Sequence, residues 1–281
     1  MKIAELSTPL FTLQNRRQQE MTDLKRHFQC FTNSFGQGLL VLTVVILVSP
    51  VRAQQSPENP TPAIDPLADE LLQELGQYID EPEQFTFQAE VEVDEVSPRG
   101  QKIQYTSNFE IAVRRLNRLF VSQEGDLQNR SLWFDGDRFI LLDRDLNNYL
   151  YVDTPNTLDK AIPFLEDRGF TAPLADFVTG NFYRGAIANV KTGDYLGLHQ
   201  VGGKLCHHLA FTQDNVDWQI WIEDGYEIVP CKLIITYKNL PEAPQYTAYF
   251  SDWNFSPRLP DRLFRFVVPD DASEIKFLPE R

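Results

Sequence analysis

A chain of 281 residues lies within the reach of a single all-β domain, and 42% hydrophobic content with 20 Phe and 4 Trp can build a core rich in rings. The formal charge of −14 argues against nucleic acid and anionic membrane surfaces as partners, since both would repel it.

Gly38 to Val48 (GLLVLTVVILV) follows Lys25, Arg26 and His27 and precedes Val51-Arg52-Ala53. An apolar run of this length, behind basic residues and before small ones, predicts a signal peptide cleaved after Ala53 and export to the periplasm. Residues 1–53 are therefore the leader, and Met21 is an alternative start. Removing the leader leaves 20 Lys and Arg against 37 Asp and Glu, a charge of −17. Residues 54–64 begin with the polar, proline-rich QQSPENPTP and read as a disordered linker; residues 65–281 read as one domain.

Asp65 caps a helix that begins at Pro66, with Leu67, Leu71, Leu72, Leu75, Tyr78 and Ile79 at helical spacing. From Phe85 the period becomes two. Phe85, Phe87, Ala89, Val91 and Val93 alternate with polar residues, and Ser97-Pro98-Arg99-Gly100 turns the chain into a second strand carrying Ile103, Tyr105, Phe109, Ile111 and Val113. Glu90, Glu92 and Asp94 alternate so strictly with apolar residues that they read as a solvated strand face, not as a glycosidase pair. Short strands are expected around Leu119–Val121, Leu132-Trp133-Phe134, Phe139–Leu142 and Tyr149–Tyr151. Thr157 to Gly180 then shows helical spacing. Leu158, Ile162 and Leu165 form a stripe that Pro163 should kink and Gly169 should stop, and Thr171 is expected to cap a second helix through Phe177 and Val178. A third helix is expected over 181–189.

Sheet resumes at Tyr195. Leu205 to Tyr237 reads as three antiparallel strands turned at Asp214-Asn215 and Asp224-Gly225. Two-residue turns would set Phe211 opposite Trp218 and Leu209 opposite Ile220. They would also put Trp218, Ile220 and Ile222 on one face with Val229, Cys231 and Leu233. Cys206 then lies on the opposite face from Cys231, which predicts two free thiols even in an oxidising compartment. Strands are also expected at Tyr246–Phe255 and Leu263–Val268.

About eleven or twelve antiparallel strands with a helical insertion amount to a mainly β, α+β fold, and a sheet this long must curl. Candidates for a ligand cavity on its concave face are Phe85, Phe87, Val91, Ile103, Phe109, Ile111, Trp133, Leu209, Phe211, Trp218, Ile220, Ile222, Leu233, Ile235 and Trp253. Leu158, Ile162, Leu165 and Phe177 are candidates for its lid. Cys206, His207 and His208 are too few for zinc, and no nucleophile elbow, phosphate loop or dinucleotide fingerprint is present. No metal, cofactor or catalytic residue is expected, and a hydrolase is a poor third reading.

Gly203 to Phe211, Asp217 to Ile222, Pro230 to Tyr237 and Ser251 to Phe255, with Asp65-Pro66 and Pro173 to Asp176, resemble a family of predicted periplasmic proteins of unknown function. The fold of that family resembles the lipoprotein carriers LolA and LolB. The resemblance spans roughly residues 65–279. It implies an unclosed antiparallel half-barrel of about eleven strands whose helices plug a hydrophobic cavity, which in the carriers holds lipoprotein acyl chains. The expected partner is thus a hydrophobic ligand or a lipoprotein acyl chain bound by a monomer. An envelope scaffold or sensor that binds another protein is the alternative.

Overall fold

The computed structural model describes residues 63–170 and 172–276. The expected leader, its cleavage site, most of the linker and the Thr171 cap lie outside the described residues. Helix α1 (Pro66–Asp80) starts as its sequence dictates, with the Asp65 carboxylate accepting from the Leu67 N–H at 2.8 Å and Pro66 in the first turn. Its apolar stripe, Ala68, Leu71, Leu72, Leu75 and Ile79, is buried.

Strands β1 (Gln84–Val96), β2 (Lys102–Arg114), β3 (Arg118–Gly125), β4 (Arg130–Phe134), β5 (Arg138–Asp143) and β6 (Asn148–Asp153) form one antiparallel meander. Strands β7 (Thr192–Val201), β8 (Lys204–Thr212), β9 (Val216–Glu223), β10 (Pro230–Tyr237) and β11 (Gln245–Asn254) form another. The two join where β11 pairs with β1, with Val91 opposite Ala248. A two-residue strand, β12 (Ser273–Glu274), pairs in parallel with β6, so the twelve-stranded sheet is mixed. Its order, β12-β6-β5-β4-β3-β2-β1-β11-β10-β9-β8-β7, leaves β12 and β7 at the two edges, with β7 bridged at Gly193 by Ile64, and the sheet does not close.

This order explains the helical insertion. The segment between β6 and β7 must travel from one side of the sheet to the other, and it does so through α2 (Leu158–Glu166), a 3-10 turn (Ala175–Phe177) and α3 (Phe182–Ile187). Pro163 lies inside α2, where its ring removes the bond that would run back to Asp159. Gly169, at φ +88°, ends the turn after it.

Two expectations are corrected. Leu263 to Val268 is not a strand, although its rings alternate. It starts within a 3-10 turn (Asp261–Phe264) and lies against the back of the sheet. Phe264 is buried under the Arg114 guanidinium, and Phe266 packs on Trp133, Tyr149 and Tyr151.

The second correction concerns the cysteines, which form a disulfide, Cys206–Cys231, with Cα atoms 7.1 Å apart. The turn at Asp214-Asn215 is as read: Gln213 bonds Val216, Phe211 opposes Trp218 and Leu209 opposes Ile220. After β9 the connection is longer than two residues. Leu233 still opposes Ile220, so parity survives to that point, but the register slips between Pro230 and Lys232. Cys231 is the extra residue of this bulge. One inserted residue swings its side chain to the other face, where it meets Cys206 beside Trp221, Val201 and Ile234.

Candidate functional site

The concave face is built by alternation. Leu209 and Phe211 on β8, Trp218, Ile220 and Ile222 on β9, and Leu233 and Ile235 on β10 continue through Tyr246, Ala248 and Phe250 on β11. Phe85, Phe87 and Val91 on β1 and Ile111 and Val113 on β2 extend it further. All belong to one buried cluster with the inner faces of α1 and α3. Its rings are in contact: Phe211 stacks on Trp218 with centroids 4.3 Å apart, Phe87 on Trp253 at 4.3 Å, and Phe177 meets both Phe182 and Phe250 at about 5 Å.

The structure brings together Phe85, Phe87, Val91, Ile111, Leu209, Phe211, Trp218, Ile220, Ile222, Leu233 and Ile235, with Phe109 and Trp253 partly buried against them. Ile103, 38% exposed, stands at the outer end of β2 and does not join them. Trp133 is on the opposite face, against Phe120 and Phe266, because Leu119 pairs with Phe134 and so sends Phe134 inward and Trp133 outward. From the helices, Leu158 and Phe177 enter the same cluster and Ile162 packs against it. Leu165 instead joins Phe139, Leu150, Val152 and Phe170 in a second cluster over β5 and β6. Phe134, Val113, Tyr246 and Phe250 complete the face. Tyr246 to Phe250 alternated visibly in the sequence, whereas the side taken by Phe134 depended on its pairing.

At one end the cover is tied by Arg115, which sequence reading did not single out. One guanidinium nitrogen, Nη1, donates to the carbonyls of Ile79 (2.7 Å) and Asp80 (2.8 Å) at the end of α1 and to Pro82 (3.2 Å). The other, Nη2, donates to Thr179 O at 2.7 Å, beyond the 3-10 turn. Its plane lies over the Phe85 ring, 4.9 Å from the centroid. Asp80 sits 3.8 Å from the guanidinium and accepts from the Phe182 N–H at 3.1 Å, the first residue of α3. Burial pushes the Asp80 carboxyl up to about 6, against the pull of Arg115 and of that N–H. Further along α1, the Tyr183 hydroxyl donates to Asp69 at 2.7 Å.

The opposite face carries a groove of about 420 Å³ between β1, β2 and the C-terminal segment, lined by residues that include Gln88, Glu110, Phe120 and Leu259. Near the disulfide, His208 stacks on Trp221 at 3.9 Å and bonds Gln219 at 3.0 Å, while its other ring nitrogen lies 3.0 Å from His199. Burial lowers the pKa of His208, as it does for a structural histidine held against a sheet.

A family model described as predicted periplasmic protein (DUF2092) matches residues 68–278. No curated protein matches the chain. Among solved structures, the chain is similar to an uncharacterized conserved protein from Thermus thermophilus, at 10% identity over 75% of this chain and 99% of that one (TM-score 0.44). It is also similar to a LolA superfamily protein from Nitrosomonas europaea, at 11% identity over 69% and 97% (TM-score 0.38). The lipoprotein LppX of Mycobacterium tuberculosis is similar at 12% identity over 70% and 100% (TM-score 0.43).

Proposed function

This chain belongs to the DUF2092 family of predicted periplasmic proteins, and we propose that it is a non-catalytic binding protein for a lipid or lipoprotein acyl chain. Export by cleavage after Ala53 is part of the same proposal. The observation that carries it is an extended apolar face closed, beyond α1, only by short helical pieces. The apolar face runs from Phe134 on β4 to Phe211 on β8, while its cover beyond α1 is α2 of 9 residues, a 3-residue turn and α3 of 6. Helices this short owe their stability to packing, so an acyl chain of similar apolarity that moved them aside would have to offset the burial of Leu158, Phe177 and Phe182 with its own. The ties at Arg115 and Asp80 then hold the cover when no ligand is present.

Titration of the mature protein with a fluorescent fatty-acyl probe tests this reading. Saturable binding, a melting temperature that rises with probe concentration, and altered amide exchange over 158–187 are expected. Absence of binding, together with organic extracts of the purified protein that contain no lipid, would overturn it. A second reading, an envelope protein that binds another protein, is supported by edge strand β7, where Leu196 and Leu198 are 47% and 43% exposed beside Leu205 at 43%. A pull-down that depends on these leucines, with no probe binding, would favour it.

A further inference from the structure

Among the described residues, buried hydrogen-bonding groups on the concave face that lack a partner include Nε1 of Trp253, beside Phe87, and a group of three at the far end of the face: Nε2 of Gln213, Nε1 of Trp218 and the hydroxyl of Tyr237. The residues of these three are 6%, 0% and 2% exposed. Strand register sets them close to one another. Gln213 bonds Val216 across the hairpin, Val216 opposes Tyr237 across β9 and β10, and Trp218 is two residues from Val216 on the same strand face. They thus occupy two adjacent rows on neighbouring strands. These rows lie at the end of the domain where the chain enters, since Ile64 pairs with Gly193 and a side chain at Gly193 would strike the ring of Phe211, the partner of Trp218.

A buried donor without an acceptor is unfavourable wherever it occurs, and hydrocarbon surrounds these three. An acceptor brought in with the ligand between these rows would satisfy a donor there, and a carbonyl oxygen has lone pairs for two. Its charge can also be read. Lys238, next to Tyr237, directs its ammonium to the Gln213 carbonyl at 2.6 Å and to the Asp217 carboxylate at 2.7 Å, so it is already engaged. A carboxylate brought to the three donors would be desolvated without a counter-cation, whereas a neutral carbonyl would not. Burial also raises the pKa of the Tyr237 phenol and keeps it a donor.

We propose that Gln213, Trp218 and Tyr237 form the polar end of the binding face and that its ligand is an apolar chain bearing a neutral carbonyl, an acyl ester. This inference rests on the acyl-binding reading above and deepens it. Its test compares methyl palmitate, hexadecane and palmitate as competitors of the acyl probe on the mature protein, on Tyr237→Phe and on Trp218→Phe. Methyl palmitate should bind the wild type roughly tenfold more tightly than hexadecane, the effect of about one net hydrogen bond, and more tightly than palmitate. Tyr237→Phe should lose most of that preference, keep its affinity for hexadecane and melt no lower than the wild type, because it deletes an unpaired group. Trp218→Phe should also lose the ester preference, with a lower melting temperature because the smaller ring leaves a void beside Phe211. Equal binding of ester and hydrocarbon by the wild type, or tighter binding of palmitate, would overturn the proposal. So would a lower melting temperature of Tyr237→Phe with ester binding unchanged, which would identify a buried water as the acceptor. If none of the three molecules competes, the acyl-binding reading itself fails, an outcome distinct from binding without discrimination.

Discussion

Arg115 and Asp80 illustrate how a polar pair can serve an apolar site. Neither is paired in the simple sense, because burial works against both charges: it lowers the pKa of the guanidinium and lifts the carboxyl to about 6. What holds Arg115 is its fork, which reaches the last carbonyls of α1 and Thr179 at once. For Asp80 the sign of the linkage follows from its shift. The carboxyl binds its proton at about 6 in the fold against an ordinary value of 3.8, so the folded state holds the proton more tightly. Its contribution favours folding at low pH and is lost as the pH rises through about 6. Asp80→Asn should therefore flatten the fall in melting temperature between about pH 4 and pH 6. An unchanged slope in the variant would show that attraction to Arg115 and the Phe182 N–H cancels the effect of burial.

At the scale of elements, the cover depends on how closely α3 can approach α1. Gly76 makes that approach possible: a Cβ there would lie 2.7 Å from the Tyr183 Cβ and 3.1 Å from its backbone nitrogen. Neither atom is the free end of a flexible chain, so α3 would have to move. Gly76→Ala gains up to about 1 kcal/mol of helix propensity, but overpacking costs about 1–3 kcal/mol, and contact with backbone makes the overpacking prevail. Urea denaturation should show net destabilisation of the order of 1 kcal/mol. A variant as stable as the wild type would mean that α3 shifts freely along α1, and acyl-probe binding would show whether the cover is then looser.

Across the whole molecule, the two meanders are joined by the pairing of β1 with β11, and within the second of them the disulfide clips β8 to β10 over the back of β9. The cysteines are 25 residues apart, and closing a loop of that length removes entropy from the unfolded chain equivalent to about 3 kcal/mol. Replacing both cysteines with alanine should cost stability of that order in a denaturant melt. Alkylation of denatured, unreduced protein should label neither Cys206 nor Cys231, and reduction should add two hydrogens to the intact mass. Labelling of both would restore the free-thiol expectation and remove the bulge at Cys231 as the decisive feature.

Elements whose signals are local were legible in the chain alone. The period of two in Phe85 to Val93, the Asp65-Pro66 helix start and the two-residue turn at Asp214-Asn215 each depend on neighbours a few residues away, and each is present in the fold. The apolar face from Leu209 to Ile235 was legible for the same reason, since alternation and turn chemistry set it directly. Features that depend on a distant partner emerged only on folding. Trp133 faces outward because Phe134 opposes Leu119, Cys231 turns because its strand bulges against β9, and Phe266 packs on rings of β4 and β6 instead of joining a strand. The donors at Gln213, Trp218 and Tyr237 belong to the same class. Nothing near them in the chain records that they end up buried in adjacent rows, because that follows only from the pairing of three strands.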